Sequence, residues 1–289
     1  MQPGIYPDLD IKKYHSSPGD SKTSLCKLDR APKVFRDFRD SVQRPKATRS
    51  LQTGSIFHIV MEGEFERQCR VGPEVNDKRA KEWKQFVKEN PGRICVTPDE
   101  ARQVLGMRAA MYEYGPARKL LSKPGRFEVS YYWIDPGTGL LCKCRPDWIS
   151  ADQKLIVDFK TAADVTEQKF VRSAGTLHYH VSAAMTAEGV YRTTGILPES
   201  YTYLAIEATP PYLTAAYEAT ANDFRLGRRF VRRNLALLKR CQDNGAWPGL
   251  PEEVRALDVE RFMYRGGHEE NDEAETLADG EPVSENWWE

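Results

Sequence analysis

Three carboxylates and one lysine stand at strand-like spacing in the stretch 127–161, and they are Glu128, Asp147, Asp158 and Lys160. Side chains two positions apart on a β-strand share a face, so Asp158 and Lys160 point in the same direction. If neighbouring strands of one sheet carry the other two acids, all four groups can converge on one patch. Buried charges are costly unless they are compensated, and a divalent metal ion would compensate them.

Such a patch suits phosphodiester hydrolysis assisted by two metal ions. Carboxylates that hold divalent ions about 4 Å apart stabilise both the attacking and the leaving oxygen. Hard oxygen ligands favour Mg²⁺, for which Mn²⁺ can substitute. Lys160 could orient the water nucleophile, help to deprotonate it and stabilise developing negative charge. The Asp-x-Lys spacing alone is a weak signal in a chain rich in both residue types, and an exposed Asp158–Lys160 pair is the alternative.

A meander of three strands is expected to position these groups. Residues 127–134 alternate, with four apolar or aromatic side chains on one face and Glu128 on the other. A turn rich in proline and glycine leads to a second strand over 140–148, which carries Asp147. A polar turn then leads to a third strand over 155–159, so the pattern predicts three consecutive neighbours in one sheet.

Helical patterns surround the predicted meander. The largely apolar segment 49–65 predicts a buried helix with one histidine, His58, and Gly54 one turn earlier would allow close approach to another element. Taken alone, this histidine is better interpreted as a core residue bonded to the backbone than as a metal ligand. A capping box at 97–100 opens a helix to about residue 114. A long arginine-rich helix is expected over 222–243.

The order of elements predicts one mixed α/β domain with a helical N-terminal region, in which helices flank a central mixed sheet. Short helices are expected from residue 21 toward 29 and over 74–90, and a strand pair over 201–208 and 212–219. We expect this domain to span 1–250. The remaining segment, 251–289, is acidic and low in apolar residues, which is typical of a disordered tail.

The balanced net charge of the chain conceals two oppositely charged parts. Residues 251–289 contain 13 acidic and 3 basic side chains, a net charge of −10. Because the whole chain balances 42 basic against 42 acidic residues, residues 1–250 carry a net charge of +10. A basic body suits a polyanion such as nucleic acid, although an ordinary solvated surface is the alternative. The acidic tail could dock a partner, shield the basic body from DNA or simply improve solubility.

Neither the cysteines nor the hydropathy indicates export or a membrane. The six cysteines are scattered without a Cys-x-x-Cys pair, a pattern typical of reduced thiols in a cytosolic protein. No run of about 18 apolar residues and no signal-peptide pattern is present, so we expect a cytoplasmic location without membrane contact.

Several motifs spread over residues 14–250 carry a family resemblance, and they include Tyr14-His15-Ser16, Gly54-Ser55-Ile56-Phe57-His58, Arg145-Pro146-Asp147, Asp158-Phe159-Lys160-Thr161, Tyr179-His180-Val181 and Trp247-Pro248-Gly249. Together they resemble the phage RecE-type exonucleases (exonuclease VIII) of the PD-(D/E)xK nuclease superfamily. The resemblance implies a restriction-endonuclease-like core and, for a phage-encoded protein, the cytoplasm of a bacterial host.

The resemblance also assigns roles to particular residues. It implies catalytic roles for Lys160, Asp158, Asp147 and Glu128, and it reverses the first interpretation of His58. The implied metal ligands are His58, the same three acids and the backbone carbonyl of Phe159. Arg145 shares the predicted strand face of Asp147 and is, on that ground, expected to hold the scissile phosphate. Ser182 departs from the pattern, because relatives have a glutamine there that is thought to contact the active site or the DNA end.

The activity implied by the resemblance is Mg²⁺-dependent digestion of double-stranded DNA ends from 5′ to 3′. It would leave single-stranded 3′ overhangs for phage-type recombination by strand annealing. The implied partners are DNA ends, further copies in a ring of three or four subunits, and a RecT-type annealing protein. Two alternatives stay open: a structure-specific endonuclease on the same core, and a nuclease-fold protein that binds DNA without cutting.

Overall fold

The computed structural model describes residues 1–41 and 48–254, so most of the predicted acidic tail lies outside the described residues. The helices in chain order are α1 Ile11–Ser16, α2 Lys22–Arg30, α3 Pro32–Asp40, α4 Arg49–Met61, α5 Phe65–Gln68, α6 Lys81–Glu89, α7 Pro98–Glu113, α8 Gly115–Leu121, α9 Glu167–Thr176, α10 Tyr179–Thr194 and α11 Ala221–Asn244. The strands are β1 Gly4–Tyr6, β2 Cys69–Val71, β3 Ile94–Val96, β4 Gly125–Phe127, β5 Ser130–Ile134, β6 Leu141–Cys144, β7 Trp148–Ser150, β8 Leu155–Ala162, β9 Ser200–Glu207 and β10 Thr214–Glu218.

A five-stranded mixed sheet forms the centre of the fold, in the order β10-β9-β8-β7-β4. β8 and β9 run parallel, and the other neighbours in this sheet pair antiparallel. The parallel pair requires a crossover, which α9 and α10 provide. A three-stranded sheet, β1-β5-β6, and the short parallel pair β2-β3 complete the strands. The predicted mixed α/β core with a helix-flanked sheet is therefore confirmed.

The first two predicted strands are each broken, which corrects the simple meander. Residue 127 pairs with Trp148 and Tyr131 pairs with Cys144, which is the register of one continuous hairpin. Between these pairs the hairpin bends, so β4 and β7 belong to the central sheet while β5 and β6 belong to the three-stranded sheet. The bend has two local causes: Glu128 adopts a left-handed φ of 55°, and Pro146 has no N–H to give to a ladder.

Strand β8 separates two apolar cores. Val157 and Phe159 pack with α4 and α7 on one side, in a cluster that includes Phe57 and Met107. Ile156 lies on the opposite side, in a second apolar cluster. Residues of α10 and α11, among them Leu235, contribute to this cluster. Both faces of this strand are covered, as expected for a strand that has a parallel neighbour in a mixed sheet. The central strand is thus a rigid base for any side chain it carries.

Several helix boundaries differ from the sequence-based expectation. α7 begins with the predicted capping box, in which Thr97 and Glu100 cap each other's backbone N–H groups. The helix predicted over 74–90 is confined to Lys81–Glu89. α2 and α3 are separate, because Ala31 is extended, as the residue before a proline prefers to be. Within the described residues, no helix is both long and apolar enough to cross a membrane.

Candidate metal and active site

Glu128 and Asp147 lie opposite each other where the hairpin bends, because its register pairs these two positions. The backbone N–H of Glu128 donates to the carbonyl of Asp147 at 3.1 Å, which continues the pairing across the break. The Asp147 carboxylate turns toward β8, where its Oδ2 accepts from the backbone N–H of Phe159 at 2.6 Å. This bond ties the bent hairpin to the central strand. The hairpin register therefore sets the two acids opposite each other, and the bend turns the Asp147 carboxylate toward the central strand.

His58 joins these two acids from helix α4. Its Nδ1 lies 3.3 Å from Oδ1 of Asp147, and single ligand atoms of His58, Glu128 and Asp147 all lie within 4.8 Å of one another. Gly54 explains how the helix comes so close, because a Cβ at that position would lie 3.0 Å from Oγ1 of Thr161 on β8. The close approach expected one turn before His58 is present.

Asp158 and Lys160 share one face of β8, as the period of the strand predicts. Their side chains form an ion pair, and the Tyr201 hydroxyl donates to the second Asp158 oxygen at 2.8 Å. The Lys160 ammonium also lies 5.0 Å from the centre of the Tyr179 ring. Because Asp158 is only 6% exposed, the alternative of an exposed surface pair is excluded.

The charges in this cluster strongly perturb one another. Burial acts to lower the pKa of His58, but the charge and hydrogen bond of Asp147 outweigh it and raise this pKa to about 9. Burial acts in the opposite sense on Asp147, yet His58 and Lys160 hold the pKa of that carboxyl well below its usual range. Burial, together with the nearby Asp147 charge, raises the pKa of Asp158 to about 6. Strongly shifted groups in a cleft are typical of a functional site.

Lys160 stays protonated in this environment. Burial acts to lower its pKa, but the carboxylates of Asp158 and Asp147 raise it overall. A lysine whose pKa is raised is a poor general base at neutral pH. Its charge is instead available to a negatively charged group that enters the site.

Arg145 is placed to hold Glu128 and not left free. Its guanidinium forms an ion pair with Glu128 and donates to the Leu9 carbonyl at 2.8 Å and to Oγ of Ser130 at 2.7 Å. Burial and the charge of Asp147 raise the pKa of Glu128 despite this partner. The expected contact between Arg145 and a scissile phosphate stays a prediction, and its present partners give it a positioning role.

A cavity of about 970 Å³ opens over these groups and shows which part of the chain reaches them. Asp147, Asp158 and Lys160 line its floor, and Ser182 on α10 lines its wall. The segment from Tyr14 to Ser24 forms much of the opposite side. Ser182 thus faces the same space as the candidate catalytic groups.

Lys143 holds that N-terminal segment in place. Its ammonium donates to the carbonyls of Tyr14 and Ser17, each at 2.7 Å, and lies 4.8 Å from the centre of the Tyr14 ring. Burial, its largest influence, lowers the pKa of Lys143 to about 8. Sequence reasoning missed this lysine, because the contact joins residues more than 120 positions apart.

Glu62 and Tyr201 are two further members of the site that sequence reasoning missed. Glu62 follows His58 by four positions, one helical turn, and its backbone N–H donates to the His58 carbonyl at 3.0 Å. Burial and the Glu128 charge raise the pKa of Glu62 to about 7. The helical spacing could have identified Glu62. Nothing in the sequence singles out Tyr201 among the 13 tyrosines.

The donor set fits a hard divalent cation. One imidazole nitrogen and two carboxylates lie close enough to share an ion, and Asp158 lies beside them with a raised pKa. Oxygen ligands with one imidazole suit Mg²⁺ or Mn²⁺, and the charge of an ion would offset the repulsion among the acids. His58, Glu128 and Asp147 are therefore the residues that would hold the metal.

Comparisons with known proteins identify a family and a similar fold. The family profile described as "PDDEXK-like domain of unknown function (DUF3799)" matches residues 21–259. The crystal structure of a "Putative exonuclease" from Eubacterium rectale is similar, with a TM-score of 0.62 and 16% identity over 89% of this chain and 98% of that one. At that identity the likeness bears on the fold alone. The structure of SSO0001 aligns with a TM-score of 0.28 and 13% identity over 73% of this chain and 85% of that one, too little to carry an argument. No curated protein matches the sequence.

Proposed function

Because this chain belongs to the PDDEXK-like family DUF3799, and so to the PD-(D/E)xK nuclease superfamily, we propose that it is a Mg²⁺-dependent deoxyribonuclease that digests linear duplex DNA from its ends. The observation that carries the proposal is the meeting of His58, Glu128 and Asp147 within 4.8 Å, beside the buried Asp158–Lys160 pair. Helix α4, the bent hairpin and strand β8 supply these groups.

The chain's own residues divide the work of phosphodiester hydrolysis among them. A divalent ion held by His58, Glu128 and Asp147 would supply an activated water and polarise the phosphate. Asp158 fixes the ammonium of Lys160, whose raised pKa keeps it charged and able to stabilise the negative charge that develops on the phosphate. The hydroxyl of Tyr201 holds Asp158 in turn.

We further propose the polarity of this digestion: it proceeds from 5′ to 3′ and leaves single-stranded 3′ overhangs. Its support is the resemblance of the motifs over 14–250 to RecE-type exonucleases, together with the net charge of +10 over residues 1–250. The Eubacterium rectale protein of similar fold carries the name of an exonuclease. A basic body supplies the phosphate contacts that sequence-independent binding to DNA requires.

The proposed partners follow from the same resemblance. We propose a homo-oligomeric ring around duplex DNA and a RecT-type annealing protein that receives the single strand. Size-exclusion chromatography with light scattering would test the ring, which predicts three or four subunits. A monomer that digests DNA at full rate contradicts it.

The alternative without catalysis has one observation in its favour, namely the replacement of the family glutamine by Ser182 on the cavity wall. It predicts a protein that binds DNA without Mg²⁺-dependent digestion. The endonuclease alternative predicts cutting of covalently closed circles, which have no ends.

Linear duplexes labelled separately at the 5′ and the 3′ end test the proposal. With Mg²⁺ we expect the 5′ label to be released first as a short product. The 3′ label should stay on a single-stranded 3′ overhang that lengthens as the opposite strand is digested. A closed circle of the same sequence should stay intact. Release of the 3′ label first would reverse the polarity, and cleavage of the circle would replace the exonuclease by an endonuclease.

A further inference from the structure

A second, smaller basic cavity lies beside the active-site cavity. Its volume is about 390 Å³, and it runs along the outer face of α2 to the junction of α9 and α10. Five of its lining side chains share one face of α2, and they are Lys22, Thr23, Cys26, Lys27 and Arg30. From Lys22 to Arg30 this face extends roughly 12 Å, at 1.5 Å per residue.

The positive charge of this groove is largely unopposed. Within residues 1–41 and 48–254, no carboxylate forms an ion pair with Lys27 or Arg30, and both side chains are exposed. Asp29 is the acidic residue of the lining, but Arg233 forms an ion pair with it and Asn234 donates to it at 3.1 Å. A neighbouring arginine thus already offsets its charge, and the groove presents three cations to a ligand.

The groove adjoins the active-site cavity. Lys22 and Thr23 line both cavities, so the basic face of α2 begins where the space above Asp158 and Lys160 ends. The Lys22 ammonium donates to the Leu177 carbonyl at 2.7 Å, which holds the side chain at the boundary. A polymer that occupies the active-site cavity therefore has a direct path along α2.

The far wall of the groove is formed by His178, whose ring packs against those of His180 and Phe230. His178, between α9 and α10, adopts a left-handed φ of 55°, which is uncommon for a residue other than glycine. Its Nδ1 is buried without a hydrogen-bond partner among the described residues. A strained residue with an unpaired nitrogen in the wall of a cavity is an observation from which function can be inferred.

We propose that the groove along α2 holds the sugar–phosphate backbone of the substrate strand next to the position where it is cut. The ligand class is a polyanionic strand, recognised by charge and not by base sequence. The inference rests on the proposed function, because it assumes that DNA is the molecule in the adjoining active site. It assigns a binding role to Lys27 and Arg30.

Paired charge reversals test this role. Lys27→Glu with Arg30→Glu is compared with Lys84→Glu with Lys88→Glu, two exposed lysines on α6. We measure Kd by fluorescence anisotropy for a short duplex with a single-stranded end, in EDTA, over a series of salt concentrations. We expect the α2 pair to weaken binding at least tenfold and to reduce the slope of log K against log salt by about 1.4 to 1.8, since two phosphate contacts are lost.

The control pair on α6 should change neither Kd nor the slope, and thermal unfolding verifies that both variants are folded. Equal Kd and slope for the two pairs would overturn the inference while leaving the proposed function intact. If the unmutated protein does not bind the duplex at all, it is the proposed function that fails.

Lysine acetylation of the unmutated chain provides a second test without any substitution. Lys27 and Lys84 are both exposed, so both should react with an acetylating reagent in the free protein. Saturating DNA should slow the modification of Lys27 at least fivefold and leave Lys84 unchanged, as read by peptide mass spectrometry. Equal modification of Lys27 with and without bound DNA contradicts the proposal.

Discussion

The two faces of β8 use the same backbone for opposite purposes. On one face Val157 and Phe159 are buried among apolar side chains of α4 and α7. On the other face Asp158 and Lys160 are also largely buried, but they point toward Tyr201, Tyr179 and an open cavity. Residues that alternate along one strand therefore divide between packing and chemistry.

The two faces of β8 contribute to the free energy of folding with opposite signs. The apolar face gains free energy from removing side chains from water. The charged face loses free energy by desolvating an acid, and burial raises the pKa of Asp158 as a result. Changes on the first face should act on stability, and changes on the second should act on catalysis. Each of the following predictions tests that division.

The largest effect is expected for Asp158→Asn. The amide keeps the shape of the side chain and can still accept from Tyr201, but it no longer fixes the charge of Lys160. We expect the rate of duplex digestion to fall by roughly 10²–10³-fold or more, with an unfolding temperature close to that of the unmutated protein. Asp152→Asn, on the exposed turn before β8, is the matched control and should digest normally. A large loss of stability in Asp158→Asn would break the division between the faces.

Met107→Ala on α7 tests the packing against the apolar face of β8. Met107 is fully buried in the cluster that covers Val157 and Phe159, so its truncation leaves a cavity. We expect a loss of about 2–5 kcal/mol in the free energy of unfolding, measured by denaturant titration. Digestion by the folded fraction should be unchanged. Leu105→Ala, which removes a half-exposed side chain from the same helix, should cost far less.

The pH dependence of metal affinity tests the role of His58 in the charged site without a substitution. His58 must be neutral to bind a metal ion, and its pKa of about 9 means that it is protonated at neutral pH in the metal-free protein. We therefore expect the Mn²⁺ affinity, measured by calorimetry, to rise about tenfold per pH unit between pH 6.5 and 8.5. His58→Gln should bind more weakly and lose most of this slope, and an unchanged slope would contradict the assignment of His58.

The same shift predicts the pH dependence of stability without metal. Because the folded pKa of His58 lies above its unfolded value of about 6.5, the His58–Asp147 pair stabilises the protein fully below about pH 6.5. That contribution is lost as the pH rises through about 9. Chemical denaturation in EDTA at both ends of this range should show the loss, and His58→Gln should not.

The smallest effect is expected for Ser182→Gln, which introduces on the cavity wall the glutamine that the resemblance to RecE-type exonucleases implies. An added neutral hydrogen bond contributes about 0.5–1.5 kcal/mol, so we expect digestion to accelerate by about 2- to 12-fold. Ser182→Asn, whose amide is one methylene shorter, should gain less. A decrease with glutamine would mean that the chain has adapted its cavity to serine.

Part of this division could be predicted from the sequence. The period of two along β8 places Asp158 and Lys160 on one face, and the apolar neighbours predict that the other face is covered. The apolar segment around His58 likewise predicts a helix, and Gly54 indicates its close approach to another element, which the structure identifies as β8. These predictions depend on short-range spacing, which a single sequence contains.

The remaining part depends on contacts between distant segments. The register of the hairpin sets Glu128 opposite Asp147, while the bend at a left-handed residue, which was not expected, turns Asp147 toward β8. The partners of Arg145, and the groove along α2, arise where the N-terminal helices pack onto the sheet and onto α10 and α11. Neither periodicity nor capping signals report such long-range packing. The roles of the individual site residues stay predictions until they are measured.

The central claim is that His58, Glu128 and Asp147 form a metal-dependent nuclease centre with the charged face of β8. Digestion of a uniformly labelled linear duplex, followed against Mg²⁺ concentration for the unmutated protein and for Asp147→Asn, tests it most directly. The account predicts no release of nucleotides in EDTA, release that saturates with Mg²⁺, and its loss in Asp147→Asn while the variant remains folded. Digestion that persists in EDTA, or equal digestion by Asp147→Asn, would contradict it.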